Sequence, residues 1–179
     1  MAFATKILPH YTYDDWVLWE GKWELYEGHP VAMSPSAVPR HQQVAAALMG
    51  ELFYALKACN TCTVYDTIDI KISEDTILEP DVLVVCKDIK KKYLDFPPDL
   101  VVEILSPATA LRDRHTKYEL YEQFGIQYYI IIDAEKNEVE IYSLENDKYQ
   151  LQRLPDDSTF AFKFSKGACN INIDFKEIW

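Results

Sequence analysis

The feature that most constrains the fold is a run of strand length that has no polar side. Residues 127–133 read Gln-Tyr-Tyr-Ile-Ile-Ile-Asp, without the alternation of polar and apolar side chains that marks a half-exposed strand. This pattern predicts a strand buried on both faces, so layers must cover both sides of its sheet. Further Val- and Ile-rich runs of strand length occur at residues 63–66, 68–73, 80–86 and 99–105.

Two stretches have helical periodicity instead. The first covers residues 37–58, where apolar residues recur at every fourth position: Val44, Leu48, Leu52 and Leu56. The second covers residues 113–124 and ends at Gly125. A helix, several strands, a second helix and another strand predict an α/β (α+β) fold, in which helices flank a mixed central sheet.

Additional elements are predicted on both sides of this core. Before it, Thr12 is typical of a helix N-cap, and Gly28 separates the two short strands of a hairpin. After it, strands are predicted at residues 138–144, 149–154 and 160–164. We therefore expect one domain over residues 1–179, with a core at about 37–133 and additional antiparallel strands at both ends.

The charge and the apolar segments of the chain exclude some functions. Its 179 residues include 18 Lys and Arg against 29 Asp and Glu, which gives a net charge of −11. This balance excludes a basic coat over the whole surface but does not exclude a local basic patch. No apolar stretch approaches the ~20 residues that cross a bilayer, and residues 1–10 lack the apolar core of an export signal. We therefore expect a cytoplasmic protein whose four cysteines are reduced thiols.

Two other patterns have an ordinary structural explanation. Cys59 and Cys62 form a Cys-x-x-Cys that follows a helix, which is the wrong end for lowering a thiol pKa. A structural zinc would need two more ligands, and the sequence has no second Cys pair or nearby His pair. Four lysines at positions 87, 90, 91 and 92 would contact a DNA backbone, but a solvated loop is the commoner interpretation.

Carboxylates stand in apolar surroundings on two neighbouring predicted strands. Asp81 precedes the run Val-Leu-Val-Val, and Glu103 lies within the run Val-Val-Glu-Ile-Leu. An ionised carboxylate in such a run is costly unless it is paired or binds a metal. Two carboxylates on adjacent strands can hold a hard cation such as Mg²⁺. The alternative is that Asp81 caps a strand end and Glu103 forms a structural ion pair with Arg112, Arg114 or Lys117.

A set of motifs in fixed order resembles one group of nucleases. Pro80-Asp81, with Glu103 located 22 residues after Asp81, resembles the PD-(D/E)XK nuclease superfamily. The closer resemblance is to its Uma2-like restriction endonuclease family, and it spans residues 10–150. The segments that carry it are Trp23-Glu24-Leu25-Tyr26-Glu27-Gly28, Met33-Ser34-Pro35 with His41, Pro97-Pro98-Asp99-Leu100-Val101-Val102-Glu103-Ile104-Leu105-Ser106-Pro107, Asp113 with Lys117, Tyr121 and Gly125, and Tyr128-Tyr129-Ile130-Ile131-Ile132-Asp133.

The resemblance implies a role for the central residues. Asp81, Glu103 and the Ile104 carbonyl would bind Mg²⁺ or Mn²⁺. The superfamily pattern has Lys two residues after the Glu, where this chain has Leu105. Lys117 stands where Uma2-like proteins carry the lysine instead, and it would orient or deprotonate the attacking water or stabilise phosphoryl charge.

Other residues are supporting candidates. Tyr121, one helical turn beyond Lys117, would position it or a phosphate, with a core tyrosine as the alternative. Glu27 or Glu51 would supply an extra acid, and the sequence does not decide between them. The resemblance implies that His41 faces the cleft, with a structural histidine near a helix start as the alternative. Two arginines near a helix start, where cations oppose the macrodipole, are candidates for a phosphate contact: Arg112 and Arg114.

These residues predict a Mg²⁺-dependent endonuclease that hydrolyses DNA. The net charge of −11 favours an alternative, a nuclease-fold protein with little or no catalysis that acts as a binding module. A metal-dependent hydrolase of small phosphorylated molecules would ease the charge problem, but no motif supports it. The resemblance also implies a homodimer, and four tryptophans offer aromatic surface for it: Trp16, Trp19, Trp23 and Trp179.

Overall fold

The computed structural model describes residues 8–33, 38–164 and 169–179. Its helices are α1 (Tyr13–Trp16), α2 (Pro39–Leu56) and α3 (Tyr118–Phe124), and a π-helix (Arg112–Lys117) leads directly into α3. The predicted motif residues Ser34 and Pro35, and the predicted helix start at residue 37, lie outside the described residues.

The described strands form three sheets. A four-stranded antiparallel sheet has the order β2-β1-β5-β4, a six-stranded mixed sheet has the order β10-β9-β8-β7-β6-β3, and β11 pairs with β12. The strands are β1 (Trp23–Tyr26), β2 (His29–Ala32), β3 (Thr63–Tyr65), β4 (Ile70–Ser73), β5 (Thr76–Leu78), β6 (Val82–Val85), β7 (Leu100–Ile104), β8 (Tyr128–Asp133), β9 (Glu138–Glu145), β10 (Lys148–Gln152), β11 (Thr159–Phe164) and β12 (Cys169–Asp174).

The run that lacks a polar side is β8, in the interior of the mixed sheet. It pairs in parallel with β7 and antiparallel with β9, and its residues from Tyr128 to Ile132 are all buried. On one face, the even-numbered residues pack against α2 and the β11–β12 hairpin. On the other face, Tyr129 and Ile131 pack with Tyr121 of α3 and with residues of the four-stranded sheet. The predicted α+β fold with a mixed, two-sided sheet is therefore confirmed.

Local sequence explains where the main helices begin and end. Pro39 occupies the first turn of α2, where its missing N–H costs nothing. The buried face of α2 comprises the predicted four-residue repeat together with His41. Gly125 ends α3 in the left-handed conformation, with φ of 87°. Helix α1 begins directly after the predicted N-cap Thr12 and ends at Trp16.

The cysteines differ from the sequence prediction. Disulfides join Cys59 to Cys169 and Cys62 to Cys86, so no described cysteine is a free thiol. The two residues of the Cys-x-x-Cys are therefore bonded to two different strands or strand ends, and not to each other. These bonds contradict the prediction of reduced thiols. Their pairing could not be inferred from the sequence, because the bonded cysteines are 110 and 24 residues apart in the chain. In the described part of the chain, none of the helices is long and apolar enough to cross a membrane.

Candidate active site

Asp81 and Glu103 lie side by side at one end of the mixed sheet. Strands β6 and β7 are antiparallel with Val82 opposite Val102, and extending this register by one residue sets Asp81 opposite Glu103. Cross-strand partners share a face of the sheet, with Cβ atoms about 4.5–5.5 Å apart. The backbone N–H of Ile104 donates a 2.7 Å hydrogen bond to Asp81 Oδ2 and holds that carboxylate against the end of β7.

Lys117 extends from the π-helix into this carboxylate pair. Its Nζ lies 2.8 Å from Glu103 Oε1, 2.8 Å from Glu24 Oε1 and 3.9 Å from Asp113 Oδ1. The lysine side chain is only 4% exposed. The π-helix buries Asp113 and Lys117, four residues apart, on its inner side. One buried ammonium therefore forms ion pairs with three carboxylates.

Tyr121 completes the contacts of Glu103. Its hydroxyl donates a 2.8 Å hydrogen bond to Glu103 Oε1, the same oxygen that Lys117 contacts. Because the Tyr121 ring is fully buried and packs against Tyr129, it also belongs to the core. The structure thus combines the two interpretations of Tyr121, since a core ring carries a hydroxyl that orients the carboxylate.

The extra acid in this cluster is Glu24, which the sequence analysis did not select. Glu24 lies on β1, accepts hydrogen bonds from the Tyr26 hydroxyl (2.7 Å) and the Glu79 backbone N–H (3.1 Å), and is buried. The signal that marks Glu103 also applies to Glu24, because both are acids inside a short apolar strand. Since only tertiary packing brings β1 beside the π-helix, the sequence offered no reason to connect Glu24 with Lys117.

The two predicted candidates for the extra acid lie elsewhere. Glu27 is exposed at the β1–β2 turn and has a φ of 46°. Glu51 is half-buried on α2 outside the buried face of that helix. Neither lines the cavity around Asp81 and Glu103.

His41 meets the other carboxylate of the pair. Its Nε2 lies 3.3 Å from Asp81 Oδ2, and its imidazole is largely buried. The hydrogen bond to Asp81 raises the pKa of His41, and contact with the Ile104 backbone adds to the rise. His41 therefore carries more positive charge near neutral pH than an exposed histidine.

The carboxylates open onto a cavity of about 470 Å³. Four acids, Glu24, Glu79, Asp81 and Glu103, line it together with three residues that carry or can carry positive charge: His41, Arg112 and Lys117. The Arg112 guanidinium lies 5.8 Å from the centre of the Tyr26 ring, within the range of a cation–π contact. Arg114 is not in the cavity, because it forms an ion pair with Glu140 of β9 on another surface.

Burial and charge set the protonation states of the central pair. Burial raises the pKa of Glu103 well above its usual range, the Lys117 ammonium opposes this rise, and the carboxylates of Asp113 and Asp81 add to it. Burial acts to lower the pKa of Lys117, but Glu103 and Glu24 outweigh it and raise that pKa well above its usual range. Lys117 is therefore an ammonium at neutral pH and suits charge stabilisation better than proton abstraction.

The arrangement fits a hard cation only in part. No described group of three or more His, Cys, Asp or Glu side chains is arranged as a metal site. However, Asp81 and Glu103 face one cavity. Asp113 is 1% exposed, lies outside the lining of that cavity and has its Oδ1 3.9 Å from Lys117 Nζ. An excess of buried acids over buried cations is offset either by a bound cation or by protonation, and the raised pKa values of Glu103 and Asp113 favour protonation as long as no cation is bound. A Mg²⁺ ion that keeps several waters needs no more than one or two such carboxylates.

The end of the mixed sheet thus carries two paired acids, Asp81 and Glu103, and a buried lysine contacts Glu103. The sequence matches the Uma2 family, described as "Putative restriction endonuclease", over residues 12–163, so the chain belongs to this family. A protein of Synechocystis sp., "Uncharacterized protein slr1290", is 28% identical over 149 residues, which are 78% of this chain and 77% of that protein.

A solved structure has the same fold. It is a crystal structure from Anabaena variabilis, described as "a putative nuclease belonging to DUF820", with a TM-score of 0.74 and 17% sequence identity. The match covers 94% of this chain and 97% of that chain. The predicted family and fold are both confirmed, and the family membership supports a nuclease.

Proposed function

We propose that this protein is a Mg²⁺-dependent endonuclease that hydrolyses DNA phosphodiester bonds, with Mn²⁺ as an alternative metal. The observation that carries the proposal is the Lys117 ammonium 2.8 Å from Glu103, on a strand whose neighbour presents Asp81 to the same cavity. Asp81, Glu103 and the Ile104 carbonyl would hold the metal. When bound, it would polarise the phosphodiester and lower the pKa of a water.

The protein's own residues have complementary tasks in this proposal. Lys117 stabilises negative charge that develops on the phosphoryl oxygens, and its ammonium is already oriented by Glu24 before substrate arrives. Tyr121 and Ile104 fix the orientations of Glu103 and Asp81 through hydrogen bonds. Arg112, at the cavity wall, is placed to meet a phosphate oxygen.

A plasmid-cleavage assay tests the proposal. Wild-type protein should nick or linearise plasmid DNA with Mg²⁺ and not with EDTA, and Glu103→Gln should be inactive. The matched control is Glu51→Gln, which removes a carboxylate outside the cavity and should cleave normally. Equal cleavage by wild type and Glu103→Gln would point to a contaminating nuclease and contradict the proposal.

One observation favours a second function, a binding module without useful catalysis. The net charge is −11 and four acids line the cavity, so DNA must approach against repulsion. DNA binding without Mg²⁺-dependent cleavage by wild type would support this second function.

We also propose a homodimer. Leu18 is 79% exposed beside Trp19 and Trp23, and these residues line one concave apolar surface near the N-terminal end. Leu18→Glu should abolish association measured by sedimentation, whereas Tyr54→Glu, at an exposed residue of α2, should not. A wild-type protein that sediments as a monomer at high concentration would contradict the dimer.

A further inference from the structure

The lysine-rich loop between β6 and β7 departs from the acidic character of the chain. Within residues 87–96, four lysines stand against two aspartates, while the whole chain carries −11. All four lysines are exposed: Lys87, Lys90, Lys91 and Lys92. A local positive patch on an acidic protein is a feature that net charge conceals.

The loop is held in place by the fold. Leu94, at its centre, is fully buried, and its backbone N–H donates to Asp69 O at 2.8 Å. The N–H of Lys71 on β4 donates in turn to Leu94 O at 2.8 Å. The Cys62–Cys86 disulfide anchors the start of the loop, and the Asp99 N–H donates to Val84 O at its end. Such anchoring lowers the conformational entropy lost when the loop binds a partner.

The lysine head groups remain available to a partner. Lys91 pairs with Asp95 at 2.5 Å, and both groups are about half exposed. No hydrogen bond or ion pair joins Lys90 or Lys92 to any residue that the structure describes. The Lys87 and Lys91 ammonium groups lie 5.3 and 5.4 Å from the ring centres of Phe96 and Tyr93. The four ammonium groups therefore lie together at the surface of one loop, where a polyanionic backbone can contact them.

The length of β6 sets an upper limit on the separation between the cavity and the loop. Asp81 stands at the start of β6, and Lys87 follows two residues after its end. Six residues of extended chain span about 20 Å. The same length corresponds to about six base pairs of DNA. A duplex with one phosphate in the cavity is therefore long enough to meet the loop.

From these observations we infer that the loop of residues 87–92 is a secondary binding surface for the phosphate backbone of the DNA substrate. The inference rests on the proposed endonuclease function and names a part of the surface that would hold the substrate. The loop supplies sequence-independent affinity that offsets the repulsion between DNA and the acidic remainder of the protein.

Salt-dependent binding tests the inference without requiring cleavage. A fluorescent duplex is titrated with Glu103→Gln protein at salt concentrations from about 50 to 200 mM, with anisotropy as the readout. Each phosphate contact contributes about 0.9 to the slope of log K against log salt. In the same background, the variant that replaces all four loop lysines with Gln should lower that slope by about 2–4 and weaken binding of every duplex sequence.

A second fourfold variant controls for net charge. In the same Glu103→Gln background it replaces four exposed lysines elsewhere with Gln, which, as in the loop variant, changes the net charge from −10 (−11 + 1) to −14 (−10 − 4): Lys57, Lys136, Lys163 and Lys176. It should lower the slope by less than about 1, and thermal unfolding should show both variants folded. Equal slopes for the parent and the loop variant, or equal losses in the two fourfold variants, would overturn the inference and leave the proposed function intact. Absence of DNA binding by the parent would overturn the proposed function, and the loop inference with it.

Discussion

Lys117 is the residue on which the site's electrostatics depend. It is the buried cation shared by Glu24, Glu103 and Asp113, so its removal leaves three acids without their common partner. Loss of one partner from a buried ion cluster costs about 3–5 kcal/mol of folding free energy. An assay of this lysine must therefore separate loss of folding from loss of chemistry.

Lys117→Ala should reduce cleavage by about 10²–10³-fold, the scale for loss of one transition-state charge contact. It should also lower the free energy of unfolding, measured by urea denaturation, by about 3–5 kcal/mol. Adding Glu24→Gln should recover part of that stability, because one uncompensated carboxylate is removed, but it should not recover cleavage. Near-wild-type cleavage by Lys117→Ala would show that the lysine is misassigned, and Arg112 would be the next candidate.

Asp69 provides a pH-dependent stability prediction outside the central pair. Burial, with the Glu79 carboxylate nearby, raises the pKa of Asp69 to about 6. The folded state then binds more protons than the unfolded state between about pH 4 and 6, so stability falls as pH rises through that window. Since Asp69 is partly exposed, the loss at neutral pH should be on the order of 1–2 kcal/mol.

Asp69→Asn removes this titration and should therefore stabilise the protein at pH 7 by about 1–2 kcal/mol, with little effect at pH 4. Thermal unfolding across this pH range measures the difference. Asp66→Asn, at an exposed aspartate nearby, serves as the control and should give a small change in stability. A stabilisation by Asp69→Asn that is equal at both pH values would contradict the assignment.

At the scale of elements, the C-terminal end of α2 is held by covalent bonds. Cys59, just after α2, is bonded to Cys169 of β12 across 110 residues, and Cys62, at the start of β3, is bonded to Cys86 across 24 residues. Closing a longer loop removes more entropy from the unfolded chain. The first bond should therefore stabilise the fold more than the second.

Cys59→Ser should lower the Tm of the oxidised protein by on the order of 10 °C, since a loop of this length is worth about 4–5 kcal/mol. Cys62→Ser should lower it by less. Scans in excess reductant supply the control, because wild type and both variants should then unfold at similar temperatures. A wild-type Tm that does not respond to reductant, or free thiols in a quantitative thiol assay of the native protein, would contradict the two bonds and favour the reduced state expected of a cytoplasmic protein.

At the scale of the whole molecule, metal binding is linked to global stability. A ligand that binds only the folded state raises the free energy of unfolding, by about 2.7 kcal/mol at a hundredfold excess over its Kd. Saturating Mg²⁺ should thus raise the Tm of wild-type protein by several degrees. Asp81→Asn should abolish the rise, because it removes one of the two proposed carboxylate ligands.

The two acids placed outside the cavity supply the matched controls for this shift. Glu27→Gln and Glu51→Gln remove the same charge, and both should retain the Mg²⁺-dependent rise in Tm. A rise that persists in Asp81→Asn would locate the cation elsewhere in the protein. Differential scanning fluorimetry measures the Tm of each variant with Mg²⁺ and with EDTA, which is sufficient for the comparison.

Local sequence patterns determined most of the secondary structure. The unbroken apolar run of β8 required a two-sided sheet, and the four-residue repeat of α2 supplied one of its covering layers. Strands β5 and β12 were not predicted. β5 has three residues, too few to establish a period. By contrast, β12 alternates Ile171 and Ile173 with polar Asn170 and Asn172, which is the ordinary signal of a half-buried strand, so its absence from the prediction was a missed signal.

The π-helix could not be predicted from the sequence either, because over a single turn its apolar spacing is nearly the same as that of an α-helix. By contrast, Asp81, Glu103 and Lys117 could be selected from the sequence, since charged residues in apolar segments stand out against the cost of burying them. Their roles in metal binding and catalysis remain predictions.

Tertiary structure alone decided which residues meet across long separations. Glu24 reaches Lys117 only because β1 packs beside the π-helix, and Cys59 reaches Cys169 only because the β11–β12 hairpin packs against α2. Periodicity reports which face of an element is buried, and it carries no information on which other element covers that face. The sequence therefore determined the strands and helices that carry the central acids, and packing of those elements decided the partner of each acid and each thiol.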